Sequence, residues 1–193
     1  MQRKHKFERI TKETNIRGNL VIEGRGKATI KTGIGFLDHM LDLFAFHSGF
    51  DLELTCKGDI EVCPHHSVED IALSLGEAFN SALKDKKGIK RYSTVYLPMD
   101  ETLSRTVLDI SGRPFHVFLG EFKTELIGAL PTEMIQHFFY SFSMAAKLTL
   151  HQEIVYGNND HHKAESLFKG FAKALSEAVL IDSKSLPSSK GVL

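Results

Sequence analysis

Apolar positions divide the chain into short alternating runs and longer helical ones. Lys6 to Ile10, Asn19 to Glu23 and Lys27 to Lys31 read as strands, separated by Gly-containing turns. In the following FLDHMLDLFAFH, residues Phe36, Leu37, Met40, Leu41, Phe44 and Ala45 recur at helical spacing. Gly49 ends that helix, and DLELTCKG alternates again, with Leu52 and Leu54 on one face. The next stretch, HHSVEDIALSLGEAFNSALKD, carries an apolar stripe of Ile71, Leu75, Ala78, Phe79, Ala82 and Leu83 and is a second helix. Strand-like runs follow at Ser93 to Leu97, Leu103 to Ile110 and Pro114 to Leu119. Gly120 to Pro131 reads as a polar loop, EMIQHFFYSFSMAAKL as a third helix and LTLHQEIVY as a strand. HHKAESLFKGFAKALSEAVL is the fourth helix, and DSKSLPSSKGVL is a small, polar tail of flexible character.

The order strands, helix, strand, helix therefore occurs twice, which points to an internal duplication. Placing His65 on His161 also places His66 on His162 and Glu69 on Glu165. The same alignment puts Ile71 on Leu167, Leu75 on Phe171, Ala78 on Ala174, Phe79 on Leu175 and Ala82 on Ala178. The helix before each copy holds a histidine too, His39 in the first and His137 in the second. The expectation is an α+β fold of two halves, about 1–90 and 91–193, each a four-stranded sheet covered by two helices. No low-complexity linker divides them, so residues 1–193 are expected to form one compact unit.

Composition narrows the partners. The chain has 193 residues with 24 Lys plus Arg and 24 Asp plus Glu, and a net charge of zero gives no reason to expect nucleic acid or an anionic membrane. No apolar run approaches the length that spans a bilayer, and the polar N-terminus does not resemble a secretion signal. Two cysteines, Cys56 and Cys63, do not make a disulfide framework and fit a reducing, cytoplasmic compartment.

Histidine is the outlier, with ten residues, several beside carboxylates. The pattern HHxxE occurs at His65, His66, Glu69 and again at His161, His162, Glu165. Residues four apart share a helix face, so His65 and Glu69 can grip one ion. The neighbouring His66 is rotated by about 100° and points elsewhere, so a doublet can serve two sites. Imidazole suits Mn, Fe, Co, Ni, Cu and Zn, and added carboxylates favour harder ions such as Mn. With His39 and His137 the chain offers enough donors for two sites that keep open positions for water or substrate. Glu13 in KETN lies at a strand edge, where a solvated carboxylate is the usual case, and Asp100 in PMDE reads equally plainly as a turn carboxylate. Arg91, Arg113, Lys169, Ser188 and Lys190 could form an anion site, since Arg and Lys suit phosphate. His47, His116 and His151 carry no spacing signal and read as structural. On residues alone, an enzyme that binds its substrate on the metals, a di-metal hydrolase that activates water and a non-catalytic metal-binding protein all remain open.

FLDHM, HHSVED, PMDE, SGRP, TEMIQHFF, NNDHHKAE and PSSKGVL, in this order from KETN to the C-terminus, make the chain resemble the imidazoleglycerol-phosphate dehydratases. It departs from that pattern at Cys63–Pro64, where the family usually has acidic residues. The resemblance implies a duplicated fold of the ribosomal protein S5 domain 2 type. It implies a shell of twenty-four subunits built from trimers, with sites between chains, each holding two Mn2+. The reaction implied is loss of water from D-erythro-imidazole glycerol phosphate to give imidazole acetol phosphate, in histidine biosynthesis, through imidazolate-type activation of the substrate on Mn. It assigns His39, His65, His66, Glu69, His137, His161, His162 and Glu165 to the metals. It makes Glu13 the proton-transfer residue, with Asp100 next in line. Arg91, Arg113, Lys169, Ser188 and Lys190, together with Glu13, are implied to bind substrate.

Overall fold

The computed structural model describes residues 2–193. Its first half runs β1 (Lys4–Ile10), β2 (Thr14–Val21), β3 (Ala28–Lys31), α1 (Gly35–Ser48), β4 (Asp51–Gly58) and α2 (His65–Leu83). The second runs β5 (Tyr92–Met99), β6 (Thr102–Asp109), β7 (Phe115–Leu119), β8 (Leu126–Ile127), β9 (Leu130–Pro131), α3 (Glu133–Ala146), β10 (Thr149–Tyr156) and α4 (Asp160–Ala178).

The two four-stranded sheets have the same plan. Their orders are β1-β2-β4-β3 and β5-β6-β10-β7. In each, the last-named strand pairs parallel with its neighbour and the other pairs are antiparallel. A parallel pair needs a crossover, and α1 and α3 supply it. In the first sheet the inner face is apolar, with Ile16, Leu20, Leu52 and Leu54 buried. Gly18 faces Phe7 in the register, and a Cβ there would meet the Phe7 ring at 2.2 Å, so the ring occupies the space that a side chain would need. The second sheet instead turns Thr102, Ser104, Thr106 and Leu108 inward along β6. These small side chains let α4 come close, and Gly170 sits where a Cβ would lie 3.2 Å from Thr106 Oγ1.

The helices exchange partners between halves: α2 packs along α3 and α1 along α4. Each pair progresses in the same direction. In α2 and α3, His65 lies beside His137 and Gly76 lies against Phe142, Ala145 and Ala146. In α1 and α4, His39 lies beside His161 and Phe44 stacks on Phe171. Phe44, Phe79, Phe139, Phe142, Phe168 and Phe171 join both halves in one core, in tilted, edge-on and stacked contacts. Such ring pairs add to the burial itself.

Three expectations need revising. The second strand begins at Thr14, not Asn19, because Asn15, Ile16 and Arg17 already pair with β1 and β4. The stretch 120–131 contains a short hairpin, β8 with β9, turning through Gly128 at φ +59°. The tail is tied down: the Gly88 amide donates to the Ser185 carbonyl, the Gly88 carbonyl accepts from Asp182 and Ser183, and Ile89 bridges to Ile181.

Gly76 marks a close approach of α2 and α3: a Cβ there would lie 2.6 Å from the Phe142 carbonyl and 2.9 Å from the Ala146 nitrogen. Backbone cannot yield as a flexible side chain can. Gly76→Ala is therefore expected to cost about 1–3 kcal/mol through overpacking, despite alanine's better helix propensity. Chemical denaturation of metal-free protein measures this, and a native or raised midpoint would count against the close packing.

Candidate active site

The crossed helix pairs assemble two clusters of metal-ligating atoms. One comprises His65 and Glu69 from α2 with His137 from α3; the other comprises His161 and Glu165 from α4 with His39 from α1. Within each, the donor atoms lie within 4.8 Å of one another. Both clusters draw on the two halves, so neither half could build one alone. In the first, His65 Nε2 and His137 Nε2 each lie 3.5 Å from a Glu69 oxygen. In the second, His161 Nε2 lies 3.1 Å and His39 Nε2 3.8 Å from Glu165 Oε2.

The donor set suits a divalent ion. His137 Nε2 is buried with no hydrogen-bond partner, an expensive arrangement unless an acceptor of its lone pair binds there. Tyr140 stacks on the His137 ring, and Phe36 meets the His161 ring edge-on, so both rings are held in orientation. A cleft of about 290 Å³ lined by His65, Glu133, Met134, Gln136, His137 and Tyr140 opens beside the first cluster.

The second histidine of each doublet faces away, as helical rotation requires. His66 Nδ1 lies 3.0 Å from Asp59 Oδ2, and His162 Nδ1 lies 2.7 Å from Glu101 Oε2. These carboxylates raise the proton affinity of both rings, and His162 in turn holds the Glu101 carboxyl well below the ordinary range. Sequence pattern did not single out Asp59 or Glu101. Glu101 stood in the PMDE motif, but nothing in its spacing pointed to His162.

Glu13 sits in the turn between β1 and β2, exposed, and its charge reaches His66. Among the described residues its carboxylate makes no hydrogen bond or ion pair. Asp100 holds the corresponding turn of the second half at φ +48°, with Oδ2 3.7 Å from His162 Nε2.

Of the expected anion ligands, the structure brings four together. Arg91, Arg113, Ser188 and Lys190 line a cleft of about 480 Å³, with Ser111, Gly112 and the chain end at Leu193. Arg91 is largely committed, forking onto Asp109 at 2.6 and 3.1 Å and donating to the Pro187 carbonyl at 2.7 Å. Arg113 is the exposed guanidinium, and Lys190 has no ion-pair partner among the described residues. Lys169 is not in this cleft. It pairs with Glu165 across one helical turn, which is why the spacing in sequence could not place it with the others. Burial pushes the Glu165 carboxyl up, but Lys169 and His161 outweigh it and hold it ionised. None of the residues lining this cleft belongs to either cluster.

The start of α4 is anchored more firmly than that of α2. Asn159 Oδ1 accepts the amides of His161 and His162 and so caps the helix. Asp160 takes the Lys163 ammonium at 2.7 Å on one oxygen, and the Lys123 amide, Thr124 amide and Thr124 hydroxyl on the other. Both charged side chains are almost fully buried.

Comparison with known proteins makes the chain a hydro-lyase. Residues 32–175 match the model of the imidazoleglycerol-phosphate dehydratase family. The imidazoleglycerol-phosphate dehydratase of Clostridioides difficile (strain 630) is 56% identical over 188 residues, covering 97% of this chain and 98% of that one. Among solved structures, the Staphylococcus aureus enzyme superposes with a TM-score of 0.85 at 38% identity, covering 93% of this chain and 99% of that one. The Pyrococcus furiosus enzyme, solved with (S)-C348, gives 0.83 at 33%, covering 97% and 100%. The chain belongs to the imidazoleglycerol-phosphate dehydratase family. No helix among the described residues is long and apolar enough to cross a membrane.

Burial raises the Asp160 carboxyl, but Lys163 and the donors of the 123–124 loop outweigh it and depress it below its ordinary value. A depressed carboxyl contributes stability that is full above the unfolded value of about 3.9 and is lost as pH falls through the folded one. Asp160→Asn strands the Lys163 charge and is expected to cost about 3–5 kcal/mol near neutral pH. The deficit should shrink only below about pH 4. A deficit that is constant down to pH 2 would show that the charge of Asp160 contributes nothing.

Proposed function

We propose that this chain dehydrates D-erythro-imidazole glycerol phosphate to imidazole acetol phosphate in histidine biosynthesis, as a cytoplasmic enzyme with two Mn2+ per active site. The observation that carries this is the pair of histidine–carboxylate clusters, built across the two halves, in a member of the dehydratase family. His39, His65, His137 and His161 with Glu69 and Glu165 would hold the metals, and His66 and His162 present further imidazole to ions at a neighbouring chain. When bound, Mn2+ supplies Lewis-acid polarisation of the substrate's imidazole ring.

The rest falls to side chains. The carbon proton to be removed has no adjacent carbonyl to acidify it, so a positioned carboxylate must take it, and Glu13, exposed beside His66, is the candidate that the family resemblance assigns. Arg113, Lys190 and Ser188, shaped by Arg91, receive the phosphate and convert its binding energy into orientation of the reacting carbons. Lys169 keeps Glu165 ionised beneath His161. The anion cleft and the clusters share no residue, and a homo-oligomer of twenty-four subunits built from trimers would complete each site between chains. Exposed apolar residues such as Phe115, Leu119, Tyr156 and Ile181 suit burial between copies.

The direct test incubates Mn-loaded protein with imidazole glycerol phosphate and follows the enolised ketone; release of inorganic phosphate instead would mark a hydrolase. Glu13→Gln is expected to lower kcat on the order of 10²-fold or more with Mn content unchanged. A near-normal kcat would move the proton to Asp100.

Phosphate recognition is tested separately. Arg113→Ala and Lys190→Ala should each cost about 1.5–3 kcal/mol, roughly 10- to 150-fold in kcat/KM, with Mn content and particle size intact. Native kcat/KM in both variants would place the phosphate elsewhere.

A further inference from the structure

The two outward histidines are each tethered to a carboxylate, and the two halves use different elements for it. Glu101 precedes Thr102 at the start of β6, just as Glu13 precedes Thr14 at the start of β2. Glu101 and Glu13 therefore occupy equivalent turns. In the second half the turn glutamate itself holds the histidine: Glu101 Oε2 lies 2.7 Å from His162 Nδ1. Its other oxygen accepts the amides of Asn158 at 3.0 Å and Asn159 at 2.7 Å, and the Thr102 hydroxyl at 3.1 Å. In the first half the tether comes from the end of β4: Asp59 holds His66 Nδ1, and the Asp59 amide donates to the Glu13 carbonyl at 3.1 Å. Asp59, anchored on the Glu13 backbone, thus does for His66 what Glu101 does for His162, and the Glu13 carboxylate is left free.

We infer that Asp59 and Glu101 are positioning residues that accept Nδ1–H of His66 and His162 and so hold each ring as the tautomer whose Nε2 carries an outward lone pair. A carboxylate can only accept, so a neutral ring facing it must place its proton on Nδ1. The hydrogen bond that one ring nitrogen makes sets which nitrogen is free to ligate, and such partners strengthen the ligand they orient. The inference rests on the proposal that His66 and His162 are metal ligands. It adds that their orientation is set within this chain, before any partner or ion arrives.

Glu101→Gln separates this role from a merely structural one. The amide is isosteric and its oxygen can keep the Asn158 and Asn159 clamp. Its NH2 group, however, would donate toward His162, so Nδ1 becomes the acceptor and Nε2 carries the proton. Asp59→Leu removes the carboxylate from His66, so Nδ1 has nothing to donate to and the neutral ring favours the Nε2 proton. Mn affinity, measured by competition with a chelator of known affinity, is expected to fall on the order of 10- to 100-fold in each variant. In metal-free protein, 15N-histidine NMR is expected to show protonated Nε2 at the affected residue. His66→Ala and His162→Ala are measured alongside. Native Mn affinity in Glu101→Gln and Asp59→Leu, with affinity lost in the alanine variants, would overturn the inference and leave the ligand assignment standing. So would weaker binding with Nε2 still unprotonated. Native affinity in the alanine variants would instead show that the outward histidines are not ligands, and the inference would fall with that assignment.

Discussion

The arrangement depends on one packing constraint, the exchange of helices between halves. Pairing α2 with α3 and α1 with α4 buries the phenylalanine layer that neither half could cover by itself. Because each pair runs in the same direction, the ends that carry histidine meet, and each doublet finds its third ligand on a helix from the other half. Close-packed interiors do not deform continuously. The same contacts that supply most of the hydrophobic stabilisation therefore also fix the imidazole positions, and stability and site geometry are coupled at Gly76 and along the Phe44–Phe171 stack.

Duplication left matching frames with different electrostatics. Lys169 compensates the buried Glu165, whereas Leu73 holds the corresponding place one turn beyond Glu69, a glutamate that stays half exposed and needs no such cation. The second doublet hangs from a helix start capped by Asn159 and locked by Asp160 and Lys163; the first starts at Pro64 with no side-chain cap. Glu101 is consumed by His162, while Glu13 is spared. These departures from symmetry leave a free carboxylate in the turn of one half where the other holds a tether.

Much of the fold was legible in sequence because its signals are local. Helical spacing of apolar residues located α1 to α4, and the repeated HHxxE on matching stripes revealed the duplication that the two sheets display. The misreadings have physical causes. Asn15 and Arg17 in β2 point to solvent and Gly18 has no side chain, so the start of that strand carries little apolar signal, and β8–β9 is too short to show any period. The tail looked flexible because its anchors are backbone hydrogen bonds to Gly88, which composition cannot express.

What the sequence determined by itself was donor chemistry and its phase: which residues can ligate, which share a helix face, and that His66 and His162 must turn away from Glu69 and Glu165. Periodicity is a property of the backbone and needs no partner. Only the tertiary structure decided which helix meets which, and so that His137 joins His65 while His39 joins His161. It also decided that Arg91, Arg113, Ser188 and Lys190 line one cleft, and that Asp59 and Glu101 hold the outward rings. Those pairings join residues up to 122 positions apart, as His39 and His161 show. Contacts at that separation follow from how the two sheets and their helices fill a common core, a condition on shape and volume that no local pattern records.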